Sequence, residues 1–472
     1  MASTSDASSP LDNISDAGLQ KVRRWGLWIN LATFLIGYAT GVIAGALLYI
    51  RGDFDLNQAQ QGLATSILLI GAMVAAMLTG RLADRFGRKA VLGVAGALFA
   101  VGFAVSALAT GFALLILGRL VMGFGVGIAS ALVPTYLGEI SPAKIRGRML
   151  TLNQLLQTVG MLVAYGVNLV FSASGNWQAM FWVGVVPAAL LAVIAVRLPE
   201  SPAWLIGKGR IDAAKEMLSS VAGAEGADVV IERYHHEDEE RRREQAGRPE
   251  QKKGWRALLA PRVRPALVVA LGLAVLQQAI GINTVLYYAP TIMEQTGLSA
   301  SNSIVYSVII GVVNLAMTIL SLRLIDRIGR RPLLLISLIG MGLSVAGLGA
   351  AFIAGLGSVI LLSCMLVFVS SFAVGMGPVL WVILGEVFAS QEQAEGAGAG
   401  SAVSWLSNFA ISTAFLPLAG LIGTGPVFLI FAVMCVLALA FVYRRVPETK
   451  GREFDQIDSD LQARAQGKKP DA

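Results

Sequence analysis

GRLADRFGRK at residues 80–89 and LRLIDRIGRRP at residues 322–332 are two versions of one charged segment, and each stands between two long apolar stretches. Two more pairs repeat in the same order and at nearly the same separation along the chain. They are Glu139 with Glu386, and PESP at 199–202 with PETK at 447–450. Three matching pairs predict a chain made of two similar halves.

The composition predicts a membrane protein. Of the 472 residues, 55% are apolar and only 14% are charged, whereas a soluble domain has about 25% charged residues. A bilayer crossing needs about 20 apolar residues. Twelve stretches meet this requirement, near 25–49, 59–80, 90–109, 111–137, 149–171, 177–196, 265–290, 303–322, 332–354, 357–385, 396–418 and 424–443. The predicted fold is all-α, with twelve transmembrane helices in two parallel six-helix repeats.

The charges predict the orientation. When both termini are placed on one side, 35 of the 37 Lys and Arg residues fall on that side, and the exceptions are Arg51 and Arg119. Basic loops stay in the cytoplasm, so the net charge of +7 reports topology and not binding to nucleic acid. The segment before Trp25 lacks the features of a signal peptide. We expect a cell-membrane protein with both termini cytoplasmic.

A polar stretch with helical periodicity separates the halves and predicts cytosolic helices. The predicted parts are a tail at 1–24, a six-helix half at 25–196, a linker at 197–264, a second half at 265–445 and a tail at 446–472. Parallel repeats of six helices place a substrate site between the halves. This organisation indicates alternating access.

The repeated charged segments predict a gate at the cytoplasmic face. Positive-inside anchoring requires Arg but no Asp, so an Asp among Arg residues in both halves indicates ion pairs that form in one state and break in another. Exposed pairs are weak, about 0–1 kcal/mol. Gln393 stands where the repeat predicts Arg, which favours a weaker gate in the second half. The predicted gate residues are Asp84, Arg85, Arg88, Glu139, Arg146, Asp326, Arg327, Arg330 and Glu386.

Amide side chains inside the apolar spans are the candidate ligands for a neutral polyhydroxylated solute, because they both donate and accept hydrogen bonds. Gly281 is a candidate helix break beside them. Amides also join membrane helices to one another, and for Asn153, or for any one of the others taken alone, the two interpretations have equal weight. The other amides are Gln154, Gln157, Gln277, Gln278, Asn283, Asn314 and Asn408.

Enzymatic chemistry is not indicated. Cys364 and Cys435 lie in apolar spans as packing residues, and His235 and His236 stand in a charged, solvated stretch. Nucleophile–base sets, metal spacings and nucleotide loops are missing from the sequence. We expect no metal, no cofactor and no catalytic residue.

Several motifs resemble the sugar porter family of the major facilitator superfamily, which includes the bacterial xylose–proton symporter and the mammalian facilitative glucose transporters. They include GYATGVIAG at 37–45, QQAIGINTVLYYAP at 277–290 and VPETKGREFDQI at 446–457. The resemblance implies a monomer in the lipid bilayer that transports a hexose, pentose or inositol. It assigns sugar contact to Gln154, Gln277, Gln278, Asn283, Asn314, Trp381 and Asn408.

Three positions differ from the family pattern or match it without a clear role. Gln157 replaces a residue that is usually apolar, which favours a more hydroxylated ligand. Trp405 is similar to another family tryptophan, with helix packing as the equal alternative. Proton-coupled members have Asp at the position of Ala39, facing the arginine that corresponds to Arg119. Since alanine cannot titrate, this chain is either a natural uniporter or a symporter sequence in which Asp was replaced.

Two other functions stay open on the same fold. One is transport of a different small polar solute, and the other is sugar sensing without transport. An organic anion would favour additional Arg or Lys in the cavity and an organic cation would favour acidic residues there, and neither appears in the spans. Sensors usually carry a long cytosolic tail. A sugar or polyol carrier, with protons as a second substrate if it is coupled, is therefore the leading prediction.

Overall fold

The structure is a computed structural model that describes residues 16–246, 258–389, 392–452 and 454–465. Within these ranges every regular element is a helix. The helices are α1 (Asp16–Asp53), α2 (Gln58–Phe86), α3 (Arg88–Ala107), α4 (Phe112–Ile140), α5 (Ala143–Ser172), α6 (Trp177–Ala195), α7 (Pro202–Gly207), α8 (Ile211–Ala246), α9 (Arg264–Ala279), α10 (Ile282–Glu294), α11 (Ala300–Ile328), α12 (Arg330–Ile353), α13 (Ser358–Val374), α14 (Met376–Glu386), α15 (Gln393–Ile422), α16 (Thr424–Arg445) and α17 (Phe454–Ala465).

The twelve predicted membrane spans are confirmed by length and apolarity. Helices α1–α6 supply the first six spans, which form the N half. Helices α9–α16 supply the other six, which form the C half, because α9 with α10 and α13 with α14 each make one interrupted span. Within the described residues, the first helix already includes Asp16, ahead of the predicted start of the first span near residue 25.

Tight glycine turns join neighbouring helices at the repeated charged segments. Gly87 between α2 and α3 has φ 95°, and Gly329 between α11 and α12 has φ 103°. Residues with a side chain rarely adopt these angles. Both glycines therefore allow the chain to reverse tightly between neighbouring helices.

Small residues bring α1 and α5 into backbone contact inside the N half. A Cβ atom added to Gly37 would overlap the Gln157 carbonyl, and one added to Gly160 would overlap the Phe34 carbonyl. Close approach at small residues is a main source of helix association in membranes. The two helices therefore form a rigid unit.

The two ends of the bundle differ. We call the end that carries α7, α8 and α17 the linker end, and the opposite end the loop end. Lys21 in α1 donates to the Ser220 carbonyl in α8 at 3.0 Å, and Gln462 in α17 donates to the Arg262 carbonyl at 2.7 Å. These bonds attach α8 to the N half and α17 to the C half.

Contacts between the halves cluster toward the loop end. Arg51 in α1 pairs with Glu294 in α10 at 2.5 Å, and the hydroxyls of Ser66 in α2 and Thr413 in α15 lie 2.6 Å apart. The Tyr165 hydroxyl in α5 donates to the Leu286 carbonyl in α10 at 2.8 Å. The helix pairs α1–α10, α2–α15 and α5–α11 therefore close the loop end.

Candidate functional site

Two interrupted helices place irregular backbone inside the C half. Gly281 separates α9 from α10 with φ 82°, a left-handed conformation, and a Cβ there would collide with the Phe431 ring. Gly375 separates α13 from α14. Irregular backbone at membrane depth is tolerated where it is buried in protein or lines a cavity. The predicted break at Gly281 is confirmed, whereas the break at Gly375 was not predicted.

A continuous chain of amides joins the two interruptions. The side-chain nitrogen of Gln277 donates to the Met376 carbonyl at 2.9 Å, just past the second break. The Gln278 nitrogen donates to the Gln277 side-chain oxygen and to the Ser404 hydroxyl, both at 3.0 Å. The Asn283 nitrogen donates to the Gln278 oxygen at 2.7 Å, across the first break. The structure thus brings together three of the predicted ligands, and we call these three the amide chain.

Asn408 belongs to a second polar group on the same helices. Its nitrogen lies 3.4 Å from the Tyr287 hydroxyl, and its oxygen accepts from Ser412 at 3.0 Å. Tyr287, Ser404 and Ser412 were missed by sequence reasoning. Ser404 and Ser412 stand four residues before and after Asn408, which puts all three on one face of α15. That spacing was the available signal.

Gln154 and Gln157 in α5 and Asn314 in α11 differ from the amide chain. Their side chains are half-buried, and no described group hydrogen-bonds to their amides. Asn153 instead donates to the Thr33 hydroxyl in α1 at 2.8 Å, which favours its role in joining helices. The half-buried amides are therefore available to a solute.

The two tryptophans have different environments. Trp381 in α14 is 44% exposed, although it lies five residues beyond Met376, whose carbonyl binds the amide chain. The indole N–H of Trp405 is buried, and the described residues offer it no acceptor. A buried donor without a partner carries a free-energy cost, which a hydroxyl of a bound solute would remove.

Arg119 is buried in α4, with 1% of its surface exposed. Its guanidinium donates to the carbonyls of Ala39 at 2.8 Å, Ala64 at 3.0 Å and Thr65 at 2.7 Å. Among the described residues, no carboxylate forms an ion pair with it. Since burying a charge in a membrane is costly, the three carbonyl dipoles hold this cation where an acid would otherwise be expected.

Charged clusters occupy the linker end of each half, at the repeated segments. In the N half, Arg88 pairs with Asp84 at 3.1 Å and binds both oxygens of Glu139 at 2.8 and 2.9 Å. In the C half, Arg330 pairs with Glu386 at 3.2 Å. These pairs all lie within one half.

Other residues at the linker end make contacts with main-chain carbonyls or have side chains outside the described residues. The side chain of Asp326 lies outside the described residues, as does that of His235. Arg146 donates to the Ser141 carbonyl at 3.3 Å. Its counterpart Gln393 donates to the Gly385 carbonyl at 2.6 Å.

The third repeated pair has a role that sequence reasoning missed. Glu200 of PESP accepts from the Arg88 main-chain N–H at 2.8 Å. Glu448 of PETK accepts from the main-chain N–H groups of Arg330 and Arg331, both at 3.0 Å. A carboxylate at a helix N-terminus satisfies free N–H groups and favours the helix dipole. These glutamates therefore cap α3 and α12.

Removing one cap should destabilise its own half. We expect Glu448→Ala to lower the free energy of unfolding by about 1–2 kcal/mol, because two part-buried main-chain donors lose their acceptor. Glu200→Ala should act similarly. Melting curves of the purified protein in detergent measure this change, with Glu216→Ala on the exposed side of α8 as the control. Equal melting temperatures for Glu448→Ala and Glu216→Ala would refute the capping role.

Twelve membrane helices in two halves, with amides joining two interrupted spans, are typical of a membrane carrier. The family model described as "Sugar (and other) transporter" matches residues 25–461. The chain belongs to this family, and it is therefore a sugar transporter of the secondary type and not an enzyme.

The chain is similar in sequence and in structure to known xylose transporters. The D-xylose transporter of Levilactobacillus brevis is 36% identical, over 92% of this chain and 94% of the relative. The E. coli xylose transporter XylE in a partially occluded inward-open conformation matches with a TM-score of 0.80 and 29% identity, over 92% of this chain and 100% of that one. XylE bound to 6-bromo-6-deoxy-D-glucose matches with a TM-score of 0.74 and 29% identity, over 93% and 99% of the two chains.

Proposed function

We propose that this protein carries a monosaccharide or polyol by facilitated diffusion, without proton coupling. The environment of Arg119 is the observation that carries this proposal. Its three acceptors are main-chain carbonyls, which do not titrate. Coupling requires a group that exchanges a proton between two states, and Ala39 beside Arg119 cannot do so.

The sugar is proposed to bind between the amide chain and the half-buried amides of α5 and α11. Neutral amides offer donors and acceptors without net charge, as hydroxyl groups require. Hydroxyls of the sugar replace bonds within the amide chain, so the protein exchanges one set of hydrogen bonds for another. Trp381 and Trp405 supply the aromatic surface for the ring, and Gln157 adds one further polar contact.

We propose that the linker end faces the cytoplasm, with both termini on that side. The distribution of Lys and Arg supports this orientation. Because the halves meet toward the loop end, the carrier is then closed to the outside. The match to the partially occluded inward-open form of XylE supports the same conclusion.

The charged clusters of the linker end are proposed to meet when that end closes. In the present conformation Arg88 and Arg330 pair within their own halves. Gln393, which stands where the repeat predicts Arg, supports a weaker gate in the C half. The working unit is proposed to be a single chain.

Counterflow in proteoliposomes tests the proposed transport. Vesicles are loaded with unlabelled xylose, arabinose, glucose, galactose or myo-inositol, and entry of the labelled sugar is followed. We expect transient accumulation with at least one sugar, because exchange requires no proton gradient. Entry equal to that of protein-free vesicles for every sugar would refute the function.

The absence of coupling is tested separately with a pH electrode. We expect that adding the transported sugar to de-energised cells leaves the pH of the medium unchanged, because no carboxylate of the described residues pairs with Arg119. Cells that express a proton-coupled sugar carrier are the positive control. Alkalinisation that requires this protein would refute uniport while leaving sugar transport intact.

A further inference from the structure

The carbonyl of Leu286 in α10 lacks its usual helical partner. In an α-helix this oxygen accepts from the N–H four residues later, and that residue is Pro290. Proline has no N–H. Since Leu286 is only 5% exposed, its carbonyl needs a donor from outside the helix.

The donor comes from the other half of the molecule. The Tyr165 hydroxyl in α5 donates to the Leu286 carbonyl at 2.8 Å, and Tyr165 is 1% exposed. Leu286 lies between Asn283, which joins the amide chain, and Tyr287, which meets Asn408. This one bond therefore connects a rigid helix of the N half to the short helix that carries sugar-binding groups.

The contact between α2 and α15 also involves a carbonyl that a proline leaves without its helical donor. Pro417 in α15 has no N–H to donate to the Thr413 carbonyl four residues earlier. Gly62 in α2 approaches that oxygen so closely that a Cβ would overlap it. Cα–H groups form weak hydrogen bonds to carbonyls. Two prolines thus free two carbonyls of the C half, and both face the N half.

We propose that Tyr165 is a positioning residue for transport: its hydroxyl, bound to the carbonyl that Pro290 frees, holds α10 against the N half while the loop end is closed. The bond is broken when the loop end opens, so it favours the state that is open at the linker end. This proposal rests on alternating access, but it is tested by a distance that does not depend on transport.

Tyr165→Phe removes only the hydroxyl. Spin labels at Ala173→Cys in the N half and Leu356→Cys in the C half, both exposed at the loop end, report opening as a longer distance. Cys364 and Cys435 are first replaced by alanine. We expect the ratio of open to closed molecules at the loop end to rise about three- to tenfold, which is the effect of one buried hydrogen bond.

Tyr38→Phe is the matched control. The Tyr38 hydroxyl is also buried and donates to a carbonyl, that of Met180, at 2.7 Å, but both residues lie in the N half. Its loss should lower the melting temperature without changing the ratio. A change for Tyr165→Phe no larger than for Tyr38→Phe would overturn the proposal.

Pro290→Ala provides an independent variant. Its new N–H competes for the Leu286 carbonyl, so the ratio should shift in the same direction as for Tyr165→Phe. The double variant should shift no further than Tyr165→Phe alone, because both changes act on one bond. Additive shifts, or a shift toward the closed state, would contradict the assigned bond.

Discussion

Ala39→Asp should convert the carrier into one that accumulates sugar at the expense of a proton gradient. Ala39 is fully buried, and its carbonyl lies 2.8 Å from the Arg119 guanidinium. A carboxylate there pairs with Arg119 in one state and takes up a proton in the other. One charge moving through 100 mV supplies about 2.3 kcal/mol, which supports a concentration ratio of about 50.

Uptake into energised vesicles measures this ratio, with and without a protonophore. Ala39→Asn is the control, because it adds similar volume and polarity but no titratable group. We expect the asparagine variant to equilibrate sugar without accumulating it. If the aspartate variant transports but does not accumulate sugar, Arg119 and residue 39 do not suffice for coupling.

Gln278→Leu should reduce transport at least 100-fold. Gln278 is 6% exposed and holds the centre of the amide chain, with bonds to Gln277, Ser404 and Asn283. Leucine leaves each of these groups without its partner and removes contacts to the sugar. A site built to hydrogen-bond a substrate hydroxyl rejects an analogue without that hydroxyl by about 10⁴-fold, because its own polar groups are left unpaired. A missing partner on the protein side should therefore also be costly.

Asn168→Ala is the comparison for this variant. Asn168 is a buried membrane amide that donates to the Val42 carbonyl at 3.1 Å, inside the N half. Its loss should lower stability and spare sugar affinity, whereas Gln278→Leu should lower both stability and affinity. Binding measured by isothermal titration and melting curves separate the two effects. Equal affinities for the two variants would remove the amide chain from the sugar site.

The fold could be predicted because each membrane helix is recognisable from its own local sequence. Twelve apolar stretches and the repeated charged segments need no knowledge of distant contacts, and the structure agrees with both. The break at Gly281 was predictable since glycine follows two glutamines in a span. The break at Gly375 was not, because glycine is common in membrane helices and most such glycines, including Gly37, serve packing.

The site was predictable only in part. Amides inside apolar spans can be recognised from the residue type alone, but their hydrogen-bond partners lie on other helices. The bond of Gln277 to the Met376 carbonyl joins residues about a hundred positions apart, and no spacing rule indicates it. The capping by Glu200 and Glu448 could not be predicted for the same reason, because each glutamate binds the N-terminus of a helix far away in sequence.

The uneven distribution of helix breaks has a consequence for inactivation. Within the described residues, each span of the N half is one helix, whereas Gly281 and Gly375 interrupt two spans of the C half. Segments with fewer helical hydrogen bonds open at lower free energy than the rest of a protein. Heat or harsh detergent should therefore abolish sugar binding before helix content falls. Sugar, which bonds to these segments, is the additive of choice for keeping the purified carrier active.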